Sequence, residues 1–285
     1  MEFRAVFQAD LKAFADINTD TPFVSIGVFP PLLADYRESH HNIILHPFFA
    51  PNGYSYEIGA EHAVCALLLW GICENLHNTH SIPLEIQDFL ESLDIGYLAS
   101  ESNISEEEAL DIGRFICQSK PALLLGRDLI LHKKHSLIIQ LLGFVAGLIG
   151  ATSKFYLQDF DVNLNAVQSV CKSAQTKCIA QEFEDLPQSD GAFIYQVFLS
   201  DVQNIQHLPE GAKLFMPNSF ATIFKLKETS STPTPYTLNL ENGDTLEIKA
   251  SMLNVLKGTT AILCSQEISS YPFSKVTSLQ GGLNV

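Results

Sequence analysis

Apolar positions in this chain gather into two kinds of pattern: short unbroken runs, and longer stretches with apolar residues three and four apart. One segment joins both. Residues 122–125 (ALLL) have the length and composition of a β-strand buried on both faces. Gly126, Arg127 and Asp128 interrupt the run, and from about Lys133 the residues Leu137, Leu141, Phe144, Val145 and Leu148 recur at helical spacing. A buried strand, a short polar turn and a long apolar helix predict half of a β-α-β unit, around which other segments read as added layers.

Upstream, residues 22–29 (PFVSIGVF) predict a strand stopped by Pro30 and Pro31, and residues 42–45 (NIIL) a second. Residues 46–53 form a loop rich in Pro and aromatics that ends on Asn52-Gly53. Residues 59–78 predict a helix apolar on most sides, carrying the single tryptophan, Trp70. Pro83 opens a shorter helix whose inner face is Ile86, Phe89, Leu90 and Leu93. Ser105 with Glu108 fits a capping box, and Ile104 and Ala109 fit the accompanying hydrophobic staple.

Downstream, residues 154–158, 191–198 and 213–216 predict strands, with a helix around 166–174. The alternation of strand and helix points to a mostly parallel sheet with helices on both faces. From Thr222 the pattern changes to alternating runs at 222–226, 236–240, 245–249 and 260–264, with a hairpin turn at Glu241-Asn242-Gly243-Asp244. The expected architecture is an α/β body over 1–220 and a small β module over 221–285.

Charge narrows the function classes. Of 285 residues, 32 are acidic and 17 basic, a net charge of −15, which argues against a nucleic-acid surface. The six cysteines include no C-x-x-C pair, and Cys65, Cys73 and Cys117 fall on apolar helix faces, as core thiols in a reducing compartment do. The first residues, with acids among them, do not read as a secretory signal. Residues 136–151 fall short of the roughly 20 apolar residues of a membrane span, so a core helix is expected there. Gly143, Gly147 and Gly150 predict close packing of that helix.

No nucleophile elbow, phosphate loop, dinucleotide fingerprint or zinc helix is present, so no catalytic residue and no metal ligand is assigned. His40, His41 and His46 cluster in sequence without a carboxylate or Cys at ligand spacing and read as loop or surface histidines. Gly126, Arg127 and Asp128 lie just past a predicted parallel strand, where open α/β sheets place ligands. With His132 and Lys133 they form the candidate anion site, set against a structural Arg–Asp turn. Residues 85–111 hold nine acids and no Lys or Arg. Glu101, Glu106, Glu107, Glu108 and Asp111 are the docking candidates, set against a merely solvated helical face.

The segment LLLGRDLILHKKHSLIIQLLGFVAGLIG resembles the strand–turn–helix of molybdopterin-oxidoreductase-like domains, above all the non-catalytic half of the large iron–sulfur subunit of respiratory complex I. Residues 93–98 (LDIGYL), 184–195 (EDLPQSDGAFIY), 215–222 (FMPNSFAT) and 256–261 (LKGTTA) are similar to further segments of that family in the same order. The resemblance implies a stand-alone NADH–quinone oxidoreductase subunit, of the kind found in variant bacterial complexes that lack the usual NADH-oxidising module. It implies partners among respiratory subunits, especially the large iron–sulfur subunit, and an electron-donor protein. The implied location is cytoplasmic, at the membrane through the complex. The chain lacks the Gly-rich loop and clustered cysteines of a flavin- and NADH-binding subunit, so a cofactor-free accessory role is expected. Two alternatives stay open: a degenerate molybdopterin-type oxidoreductase fragment holding a nucleotide-like ligand near Gly126–Asp128, and a free-standing α/β small-molecule binding protein.

Overall fold

The computed structural model of the chain describes residues 11–18, 20–36, 42–48, 53–76, 82–150, 155–159, 180–187, 189–202, 211–226, 234–253 and 256–281. The chain divides into two compact units, Met1–Ser189 and Asp190–Val285.

In the first unit, strands β1 (Leu11–Ala13), β2 (Phe23–Ile26), β3 (Ile43–Leu45) and β4 (Gly53–Tyr54) precede four helices. These are α1 (Glu61–Asn75), α2 (Leu84–Glu91), α3 (Ile95–Ser102) and α4 (Glu106–Ser119). Then follow β5 (Ala122–Leu125), the short α5 (Arg127–Leu131), α6 (His135–Ile149) and β6 (Phe155–Leu157). The sheet runs β1-β6-β5-β2-β3-β4, and every pairing in it is parallel. β5 lies inside the sheet between β6 and β2, as its unbroken apolar run predicts, and Leu124 is fully buried.

Strand alternation sorts the side chains into two cores. Val24, Ile26, Leu123, Leu125, Phe155 and Leu157 join the large core that contains α1 and α6. Phe23, Ala122, Leu124 and Tyr156 face the other way, with Ile17, Val28, Leu33 and Ile44. Among the described residues, this second face is covered by the 3-10 turns Phe14–Asp16 and Pro30–Tyr36, with Phe14 and Leu32 packed against it, and by no α-helix. The helix expected over 166–174 lies outside the described residues, as do residues 1–10.

Helix α1 is buried along twelve of its fifteen residues, which accounts for its being apolar on nearly all sides. It crosses α4 at Gly71 and Gly113. A Cβ on Gly71 would stand 2.2 Å from the Ala109 carbonyl oxygen, and one on Gly113 would stand 2.3 Å from the Gly71 carbonyl. Close helix approach therefore belongs to this pair. Gly147 and Gly150 have nothing within 4 Å of a Cβ position, contrary to the close packing expected of them, whereas Gly143 is buried within α6. The capping box at Ser105 forms as the sequence predicts, each partner's side chain bonded to the other's backbone N–H.

The second unit is a closed barrel, ordered β10-β8-β11-β7-β12-β9. Its elements are β7 (Phe193–Phe198), α7 (Leu199–Val202), β8 (Leu214–Met216), α8 (Asn218–Ile223), β9 (Thr234–Leu240), β10 (Thr245–Met252), β11 (Thr260–Ser265) and β12 (Phe273–Gly281). β7 pairs parallel with β11 and β8 parallel with β10, and the remaining pairings are antiparallel. The β module thus begins at Asp190 and not at 221. Its first two strands read correctly as buried and parallel, but a short apolar run does not say which sheet it joins. The strand expected at 222–226 is also corrected. Phe220 and Phe224 sit one helical turn apart with rings 5.2 Å apart, closing α8, and Lys225 turns the chain at φ +54°.

Candidate functional site

In an open parallel sheet the natural ligand position is the carboxyl edge at the point where strand order reverses. Here that point lies between β2 and β5: the chain passes from β2 outward to β3, and from β5 the opposite way to β6. Gly27, His46, Gly126–Asp128 and Gln158–Asp159 follow β2, β3, β5 and β6 directly and meet at this edge.

The backbones close first. The Gly126 N–H donates to the Ile26 carbonyl at 2.8 Å, and a Cβ on Gly126 would stand 1.7 Å from the Gly27 carbonyl oxygen. Gly27 itself takes φ +66°, with the Asp128 Cβ against it. Only glycine fits at either position. The two strand ends therefore touch where an open crevice is expected.

The charged side chains are then consumed by one another. Arg127 donates from Nε (2.7 Å) and Nη2 (2.6 Å) to Asp159 Oδ2, and the Gln158 side-chain oxygen accepts the Arg127 backbone N–H. The Arg127 side chain is 5 % exposed and that of Asp159 33 %. Asp159 holds this position from a left-handed backbone, φ +50°. Asp128 Oδ2 lies 3.2 Å from His46 Nε2, both side chains fully buried. His46 Nδ1 accepts the Phe48 N–H at 2.9 Å, so the proton must sit on Nε2. The protonated Nε2 thus faces the Asp128 carboxyl group. Phe48 stacks on the ring and Phe29 meets it edge-on.

A second polar group lies beside α1. His132 repeats the same device: Nδ1 accepts the Lys134 N–H at 2.9 Å, which leaves Nε2–H for the Gly59 carbonyl (3.0 Å), with Glu61 Oε2 3.4 Å away. His62 stacks between His132 and Phe183, with ring centroids 5.5 and 5.4 Å away. Burial pushes His132 down to about 4, against the pull of the Gly59 carbonyl and helped by the nearby lysines. Burial, then the His132 and Lys134 charges, push His62 down to about 3. Both rings are neutral at pH 7.

The five residues of the candidate anion site are thus divided. Gly126 is packed on Gly27, Arg127 neutralised by Asp159 and Asp128 turned to His46. His132 is uncharged on Gly59 and Glu61, while Lys133 is exposed. The structural Arg–Asp reading gains a different acid: Asp159 in place of Asp128. His46, expected as a loop or surface histidine, is buried; His40 and His41 lie outside the described residues. The sequence signal for Asp159 and His46 was their place directly after the apolar runs 155–157 and 43–45.

The docking candidates lie elsewhere. Glu106, Glu107 and Glu108 line a cleft of about 700 Å3 together with Tyr54, Ser100 and Asn103. Glu101 is half-buried on α3, and Asp111 pairs with Arg114 at 2.6 Å on the surface. Burial, followed by the charges of Glu108 and Asp111, raises the Tyr54 hydroxyl above its usual range, so it stays protonated. The acidic character extends well beyond these residues. Between Arg37 and Arg114 the sequence carries thirteen Asp and Glu and neither Lys nor Arg.

Burial raises the thiols of Cys65, Cys73, Cys117 and Cys264, which leaves them protonated and inert at neutral pH. Cys171 and Cys178 lie outside the described residues. Among the described residues no group of three His, Cys, Asp or Glu is placed to hold a metal ion, and no helix is long and apolar enough to cross a membrane. Neither a protein-family model nor a curated protein matches the chain.

Proposed function

We propose that the chain is an accessory subunit of a complex I-like NADH–quinone oxidoreductase, working on the cytoplasmic side without a redox cofactor of its own. The observation that carries this reading is the filled carboxyl edge of the sheet. A ligand there would have to part Gly126 from Gly27 and displace Asp159 from Arg127. A protein whose customary ligand position is occupied by its own pairs is suited to holding a surface in shape. The layout of an α/β unit followed by a β module also agrees with a molybdopterin-oxidoreductase-like ancestry. On this reading the chain seats against the large iron–sulfur subunit and helps present the electron-input end to a donor protein, using its acidic helices for orientation.

The test is recovery of the tagged full-length chain from gently solubilised native membranes, with a visible spectrum of the purified protein. Recovery of respiratory subunits with a colourless chain is the expected result. Flavin or iron–sulfur absorbance would favour the oxidoreductase-fragment alternative, and recovery without any respiratory subunit would sink the proposal.

A further inference from the structure

Helices α1, α2 and α3 enclose a groove of about 410 Å3 whose apolar lining is Trp70, Leu76, Ile82, Leu90 and Ile95. Except for Ile82, these side chains are only half-buried, although each of the four packs against the large core from its outer side. Glu74 and Glu91 stand exposed along the groove. Leu84 shares a helical face with Gln87 and Glu91, which both line the groove, and is 70 % exposed, the most open large apolar residue described. Apolar lining with acidic borders, in a stretch of sequence devoid of Lys and Arg, sets the chemistry of the occupant.

Charge complementarity removes three classes. An anionic lipid surface and a nucleic acid would meet like charge. A second copy docking the same face would set Glu74 and Glu91 against their own images, on a chain of net charge −15. We infer that the groove receives an amphipathic helix of a partner protein, with Leu-type anchors on one face and Lys or Arg along its borders. The anchors enter the Trp70–Leu90 lining, and the basic residues reach Glu74 and Glu91. This is helix-in-groove recognition, in which apolar anchors give affinity and bordering charge gives orientation. The inference rests on the docking role proposed above and assigns the face and the partner's chemistry.

Trp70 is the only tryptophan of the chain and lines the groove, so its fluorescence reads occupancy directly. The probe is a synthetic amphipathic peptide of about five helical turns with Leu at helical spacing and Lys on both borders, titrated into the full-length protein. The expected result is a saturable blue shift of Trp70 emission and reduced acrylamide quenching. Affinity should fall roughly tenfold or more between low and high salt. The surface variant E74Q/E91Q should weaken binding several-fold, and Leu90→Ser, checked for folding by circular dichroism, should weaken it further. An unchanged Trp70, or an equal response to peptides with Glu or Gln in place of Lys, overturns the inference. So does emission that shifts with the protein's own concentration before peptide is added, since the occupant is then a second copy. Recovery from native membranes keeps the two proposals apart. Respiratory subunits retained with an unresponsive Trp70 defeat only the groove; a responsive Trp70 with none retained defeats only membership of the complex.

Discussion

His46 Nε2 and Asp128 Oδ2 face each other across 3.2 Å at a place where neither side chain is exposed. The Phe48 N–H on the other ring nitrogen fixes the tautomer, so the protonated Nε2 is the atom turned towards the carboxyl group. His46 follows β3 and Asp128 follows β5, with β2 between them. The pair therefore ties two strand ends across the sheet.

Replacing His46 by Phe keeps an aromatic body but removes the donor. It should cost on the order of 1–3 kcal/mol, as expected for a buried polar group that loses a facing polar partner. Adding Asp128→Asn to that background should recover part of the loss, because an amide is less costly to bury beside an apolar ring than an acid. Urea denaturation at pH 7 measures both, and a double variant less stable than H46F would show that Asp128 does not rely on the imidazole.

Strands β2, β3, β5, β6 and β7, the long α1 and α6, and the Ser105 capping box were legible in the sequence because each rests on local chemistry: an unbroken apolar run, helical spacing, a Ser followed three residues later by Glu. β1, β4 and β12 carry no such run and were not legible. Nor were the pairings. Nothing around Phe193 or Leu214 distinguishes a partner in the first sheet from β11 or β10, because a parallel partner is defined far along the chain. The same holds for the site. Arg127 stood out beside a strand end, but its acid, Asp159, comes from the end of another strand and is recognisable only once β6 is placed next to β5.

His62 and His132 are neutral when folded and free to take up protons when unfolded. Their folded values, about 3 and about 4, lie below the ordinary histidine value of 6.5, so the unfolded chain binds more protons between these limits. Stability should therefore be fully present above about pH 6.5 and decline as the pH falls towards 4, by on the order of a few kcal/mol. Replacing His62 by Phe should flatten that slope between pH 6.5 and 4.5; a slope left unchanged would mean that His62 does not contribute to it.

Gly71→Ala inserts a methyl group into the Ala109 carbonyl, 2.2 Å away, and requires α1 and α4 to move apart. A loss of about 3 kcal/mol or more is expected. Gly147→Ala, on open space in α6, should be neutral or slightly stabilising. Thermal melts of the two variants side by side would decide the matter, and similar melting temperatures would contradict the close crossing.

The triple change of Glu106, Glu107 and Glu108 to Gln removes three charges, while the glutamine side chain that replaces Glu108 can still close the capping box. Folded stability should fall by no more than roughly 1 kcal/mol through the helix dipole. Under the proposed membership of a respiratory assembly, binding to it should weaken more at low salt than at high. Retention from native membranes that is unchanged at low salt leaves this cleft without a docking role.

A fragment of residues 190–285 carries all six barrel strands and their own core. It should unfold cooperatively by itself, whereas residues 221–285, lacking β7 and β8, should not fold. Far-ultraviolet circular dichroism with urea titration of the two fragments checks the boundary. Equal behaviour of the two would place it elsewhere.

The register of Leu11 with Phe155 has a consequence for synthesis. β6 inserts between β1 and β5, so the earliest strand of the sheet waits for the latest. At about 5–20 residues per second that wait is roughly 10–30 s on the ribosome. During it, β1 lacks this partner, and for the last few seconds the edge of β5 next to β6 is open as well. The first unit therefore cannot complete its sheet until residue 157 has cleared the exit tunnel, and slowed translation beyond β5 prolongs the exposure.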